Sequence, residues 1–228
     1  MSLFPRDPAQ APTRPLNGSP GRGPRPAGNP VVLVHGYQDT AAVFQPLERF
    51  LARSGFQIHP VTLRPSNGAA PLDALARQLA DHLTRLFQPG TRFDLVGFSM
   101  GGVVGRYYLQ RLGGVARVER FITLGAPHRG TWWAFGSRRP GVLQMRPGSP
   151  FLMDLERDLH LLERVNFTSL WTPFDLMIVP ARSSVLPVGQ EERLLLPYHK
   201  ALVTSRRALA RVAQLLAQPV QTRDASAG

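Results

Sequence analysis

Large apolar residues are sparse over the first 29 positions and then appear as an unbroken run, Val31-Val32-Leu33-Val34. Such a run, without alternation, suits a parallel strand buried on both faces. The pattern then switches between helical stripes and short strands. A helix is predicted over 41–53, entered by Asp39 and Thr40, with Val43, Leu47, Phe50 and Leu51 on one face and Gly55 beyond its end. A strand over 57–63 follows. Pro71 opens a second helix in which Leu72, Leu75, Leu79, Leu83 and Leu86 share a side, ended by Pro89-Gly90. Phe93 to Gly97 reads as a strand, Gly101 to Leu112 as a helix and Val118 to Leu124 as a strand. Later come a leucine-rich helix near 150–163, strands at 167–171 and 192–196, and a closing helix over 200–217. Strand and helix in strict succession predict an α/β protein, with a mostly parallel central sheet and helices on both faces. The looser stretch 126–164, carrying Trp132-Trp133 and Pro147-Gly148-Ser149-Pro150, is placed like a short cap insertion.

Composition refines this outline. The 228 residues are enough for one domain with a sizeable core, and 43% are hydrophobic. Residues 1–29 are rich in Pro, Gly, Arg and Ala and cannot bury enough surface to offset their ordering entropy, so they are expected to form a disordered tail before a catalytic domain over 30–228. There is no cysteine, which excludes disulfides and thiolate metal sites. The start lacks the apolar run of a secretory signal and no stretch is long enough to span a membrane, so a soluble, cytoplasmic protein is expected. The formal charge is +12, almost all of it arginine, since Lys200 is the only lysine. The arginines are scattered and outline no nucleic-acid-binding module, so a solvated basic surface is the first expectation, with peripheral contact with an anionic membrane surface or an acidic protein as the alternative.

The chemistry concentrates at Gly97-Phe98-Ser99-Met100-Gly101-Gly102, between a strand and a helix. In a sharp strand-to-helix turn a serine hydroxyl is lifted above the sheet, and small residues two positions either side prevent collisions. A serine needs a base and an orienting carboxylate, here in the order serine, acid, histidine. Asp175, just past a strand and among apolar neighbours, fits the acid. His199, between the last strand and the last helix, fits the base. His128 is the rival, but it precedes every plausible acid. The strand ending in His35-Gly36-Tyr37 can aim the Tyr37 amide into the site, and with the Met100 amide it would form an oxyanion hole.

These segments, with Arg106-Tyr107-Tyr108-Leu109 and Thr123-Leu124-Gly125-Ala126-Pro127-His128-Arg129-Gly130-Thr131, resemble the small bacterial triacylglycerol lipases and esterases of the α/β-hydrolase superfamily. The resemblance runs from residue 30 to the end. It implies an α/β-hydrolase fold, a Ser99, Asp175, His199 triad, oxyanion amides from Tyr37 and Met100, and acylglycerols or related small esters as substrates, with no metal or cofactor. Two positions depart from the family: Phe98, where His is common, and Tyr198, where Gly is common. Trp132 and Trp133 are the candidate substrate-binding residues of the cap. A thioesterase, amidase or acyltransferase would use the same triad. A non-catalytic binding protein on this scaffold is the reading from another class, against which the apparently complete triad argues.

Overall fold

The computed structural model of the chain describes residues 28–219. Six strands form one sheet: β1 (Val31–Val34), β2 (Ile58–Val61), β3 (Phe93–Phe98), β4 (Val118–Leu124), β5 (Asn166–Trp171) and β6 (Gln190–Arg193). Their order is β2-β1-β3-β4-β5-β6, and every pairing is parallel. Seven α-helical segments surround it, α1 (Gln45–Arg53), α2 (Leu72–Leu86), α3 (Met100–Arg111), α4 (Pro140–Leu143), α5 (Pro150–Glu156), α6 (Ala201–Thr204) and α7 (Arg206–Ala217).

The unbroken apolar run of β1 has the meaning expected of it. Val32 and Val34 join one core, with α2, α3 and α5, whereas Val31 and Leu33 join a second, with α1, α6 and α7. Each face of the sheet therefore has its own packed layer. In α2 the residues Leu72, Leu75, Leu79 and Leu83 are fully buried, each contributing about 2 kcal/mol of apolar burial.

Three elements differ from the sequence reading. The helix expected over 200–217 breaks at Ser205, whose extended backbone (ψ 137°) and side chain, accepting from Ala208 N–H at 3.2 Å, start α7 afresh. The helix near 150–163 is α5 followed by a 3₁₀ turn over Leu159–Arg164. The sixth strand lies earlier, at Gln190–Arg193, where it pairs with Thr168–Trp171. The insertion over 126–164 is present, but its inner side is core: Ala134, Val142, Met145, Leu152 and Leu162 are buried with α2 and α3.

The tail expectation concerns residues 1–27, which lie outside the described residues, and Gly28 and Asn29. Asn29 is tied in, its Nδ2 donating to Asp94 Oδ1 at 3.2 Å. Among the described residues no helix is long and apolar enough to cross a membrane.

The strand order places the site. The chain leaves β1 outward to β2, then returns past β1 to β3. The loops after β1 and β3 consequently part and open a crevice at the carboxyl ends of adjacent strands, where open α/β sheets bind ligands.

Candidate active site

Ser99 stands between β3 and α3 with φ 53°, one of two non-glycine residues with positive φ among those described. That conformation is costly for an L-residue and is held by its surroundings. Its amide donates to Leu124 O at 2.9 Å, and its carbonyl accepts from Gly102 N–H at 3.0 Å. The turn closes only because its neighbours are small: a Cβ on Gly97 would stand 2.6 Å from Gly102 Cα, and one on Gly101 would stand 2.1 Å from Val34 O. Met100 is the first residue of α3, so its N–H has no acceptor within the helix.

The loop after β1 lies against this turn, and a Cβ on Gly36 would meet Ser99 Cβ at 2.9 Å. His35, fully buried, fixes the loop through both ring nitrogens. Nδ1 donates to Gly36 O at 2.9 Å, and Nε2 accepts from Leu63 N–H at 3.0 Å. Because Gly36 C=O and Tyr37 N–H belong to one peptide plane, His35 also sets the direction of the Tyr37 amide. Burial pushes the His35 imidazole below its ordinary value, which keeps Nε2 free to accept.

Asp175 and His199 meet across two loops. His199 Nδ1 lies 2.5 Å from Asp175 Oδ2, and since a carboxylate only accepts, Nδ1 carries the proton. The other oxygen of Asp175 accepts from Met177 N–H and Ile178 N–H, each at 2.9 Å, so the buried carboxylate is satisfied on both sides. Thr172 ties the acid loop to the base loop, donating to Leu196 O at 2.6 Å. His199 Nε2 is buried and makes no hydrogen bond among the described residues. It and Ser99 line one cavity, of about 420 Å³, without a hydrogen bond between them. In unliganded enzymes such contacts are often long and tighten with substrate.

The cavity is mainly apolar. Phe98, Pro127, Met145, Leu176, Met177 and Ile178 contribute to its wall, with Asp39 and Lys200 as its charged members. Trp133 and Tyr37 line it too, their rings edge to face at 5.3 Å. Trp132 does not line it and is 65% exposed. The apolar residues of the acid loop were missed in the sequence, although Phe174-Asp175-Leu176-Met177-Ile178 displays them. Leu176, 83% exposed, projects at the cavity edge, and Tyr198 is exposed there as well.

His128 stands apart. It is fully buried, its Nε2 is 3.1 Å from Thr123 Oγ1, and its carbonyl accepts from Arg106 Nη1 at 3.0 Å. Burial, with the Arg106 charge, holds its imidazole well below the ordinary histidine value. It is not part of the cavity lining. Among the described residues no group of acidic or histidine side chains is arranged to hold a metal ion.

Residues 30–137 match the family model of palmitoyl protein thioesterase. The chain is similar to palmitoyl-protein thioesterase 3 of Dictyostelium discoideum, at 24% identity over 142 residues, which is 60% of this chain and 49% of that protein. It thus spans about half the length of that curated relative. The mature lipase BlEst2 of Bacillus licheniformis has a similar structure, with a TM-score of 0.69 at 20% identity over 87% of this chain and 96% of that one. Lipase B of Aspergillus fumigatus gives a TM-score of 0.70 at 15% identity, over 85% and 54% of the two chains. The fold is that of the α/β-hydrolases.

Proposed function

We propose that the chain is a serine hydrolase cleaving lipid-type carboxylic esters through an acyl-enzyme on Ser99. The observation that carries this reading is the His199–Asp175 pair, whose free Nε2 shares an apolar cavity with a serine on a strained strand-to-helix turn. Ser99 Oγ attacks the acyl carbon while His199 Nε2 takes its proton. The tetrahedral oxyanion accepts from the Tyr37 and Met100 amides, each worth a few kcal/mol in such sites. Collapse breaks the bond to the leaving oxygen, which receives the proton from His199. Water, activated by the same nitrogen, then repeats the addition, releasing the acid and restoring Ser99. The apolar wall and the exposed Leu176 and Trp133 in it suit an acyl chain. The positive net charge suits approach to an anionic membrane surface.

A thioester is the second reading, favoured by the match over residues 30–137. The same steps serve it, with sulfur as the leaving atom. The test of the proposal is labelling with a serine-reactive phosphonate, followed by peptide mapping. One label per chain on Ser99, in parallel with loss of esterase activity, is expected. Labelling elsewhere, or none, would overturn the assignment. Turnover of matched palmitoyl ester and thioester by the purified chain then ranks the two substrates.

A further inference from the structure

A second cavity, of about 500 Å³, adjoins the first and shares two wall residues with it, Tyr37 and Trp133. The remainder of its lining is Gln38, Gly136, Ser137 and Arg139, so it is less apolar than the first, with one charged side chain and no carboxylate. We propose that this cavity is a subsite for the polar end of the substrate, and that it selects an anionic leaving group, an alcohol or thiol bearing a carboxylate or phosphate. The proposal rests on the serine hydrolase reading above.

Three observations carry it. First, the wall between the cavities is where the reaction is placed. Tyr37 supplies one proposed oxyanion amide, and its ring forms the partition with Trp133 at 5.3 Å. A carbonyl held there has its two substituents at the junction of an apolar cavity and one that carries an arginine. An amphipathic ester divides itself accordingly, because a charged group in the apolar cavity would lose its hydration without replacement.

Second, Arg139 is preorganised. Its Nη1 donates to Asn67 O at 2.8 Å, and its backbone amide donates to Ser137 Oγ at 3.2 Å. Pro140 follows as the first residue of α4, and Gly141 N–H bonds to Gly68 O at 2.9 Å, so two loops hold the position. A guanidinium fixed in this way gives up less conformational freedom on binding an anion.

Third, Arg139 is uncommitted in charge. Among the described residues it forms no salt bridge, in contrast to Arg106, Arg111, Arg120 and Arg211, all of which face carboxylates. Gln38 and Ser137 offer further donors beside it. Arg138, next in sequence, carries the same charge but does not line the cavity, which provides an internal control.

The experiment compares two soluble esters with the same butyryl group, 4-nitrophenyl butyrate and its 3-carboxy-4-nitrophenyl analogue. The ratio of their kcat/KM values is measured for the wild type, Arg139→Gln, Arg139→Glu and Arg138→Gln. Arg139→Gln should lower the carboxylated-to-neutral ratio about tenfold, Arg139→Glu should lower it further, and Arg138→Gln should leave it unchanged. A phosphate-bearing butyryl ester, run in the same series, tells whether carboxylate or phosphate is preferred. Equal loss on both esters would make Arg139 merely structural, and equal loss of the ratio in Arg138→Gln would make the effect that of the general surface charge. Either result overturns the subsite. The underlying serine mechanism is read separately, from hydrolysis of the neutral ester by the wild type and its loss in Ser99→Ala.

Discussion

Phe98 stacks on the imidazole of His199, with ring centroids 4.8 Å apart and planes inclined by 30°. The residue before Ser99 thus covers a face of the proposed base, while Asp175 holds its edge. Gly125 approaches the same ring so closely that a Cβ would stand 3.0 Å from Cε1. Phe98→Leu should keep the fold but loosen the ring, lowering kcat/KM about fivefold to tenfold on acetate and palmitate esters alike, because orientation of the base serves every substrate. Loss confined to long chains would make Phe98 only a wall of the cavity.

Trp133 and Trp132 should separate in function although they are adjacent in sequence. Trp133 lines the cavity and is 40% exposed, whereas Trp132 does not line it. Trp133→Ala should reduce kcat/KM for a palmitate ester by a larger factor than for acetate, since lost apolar contact weakens binding in proportion to the acyl surface covered. Trp132→Ala should change neither by more than about twofold. A p-nitrophenyl ester series from acetate to palmitate checks both, and equal effects of the two variants would remove the distinction.

Stability should fall on mild acidification. His35 and His128 are fully buried with depressed pKa values, so the folded chain resists protons that the unfolded chain accepts below about 6.5. Each therefore lowers stability as pH falls through that value. Asp94 acts in the opposite sense. Burial outweighs the pull of Arg120 and pushes its carboxyl up to about 6, so the folded chain keeps a proton that the unfolded chain releases, and stability rises as pH falls through that region. With both rings opposing that carboxyl, stability should fall between about pH 7.5 and 5.5, measurable by urea unfolding. His128→Leu should flatten the slope by about one proton, whatever it does to absolute stability. A flat or rising profile in the wild type would contradict the burial of these rings.

Much of the fold and the centre of the site were legible because local chemistry determined them. The Gly97 to Gly102 turn, the buried run of β1 and the leucine stripe of α2 each satisfy backbone and apolar demands within a few residues. Other features were hidden because distant partners decide them. Leu194 and Leu196 look like strand residues and are buried, but after the Leu194 N–H bond to Trp171 O the partner is no longer backbone: Leu196 N–H and C=O both bond to the Thr172 hydroxyl. Ser205 could have been read as a helix start, yet the leucines on either side continued the helical stripe across it. The tryptophan pair gave no sign of which ring faces inward. The second cavity draws on Gln38 and on Ser137 and Arg139, roughly a hundred positions apart, and no local pattern joins them.

Turnover of p-nitrophenyl butyrate by Ser99→Ala beside the wild type, with thermal melting of both, tests Ser99 as the proposed nucleophile. The substitution removes only a hydroxyl at a position already held by its turn, so the melting temperature should be nearly unchanged. Turnover should fall by about 10⁴-fold or more, as in serine hydrolases that lose the nucleophile. A folded Ser99→Ala chain that retains wild-type turnover would contradict the account.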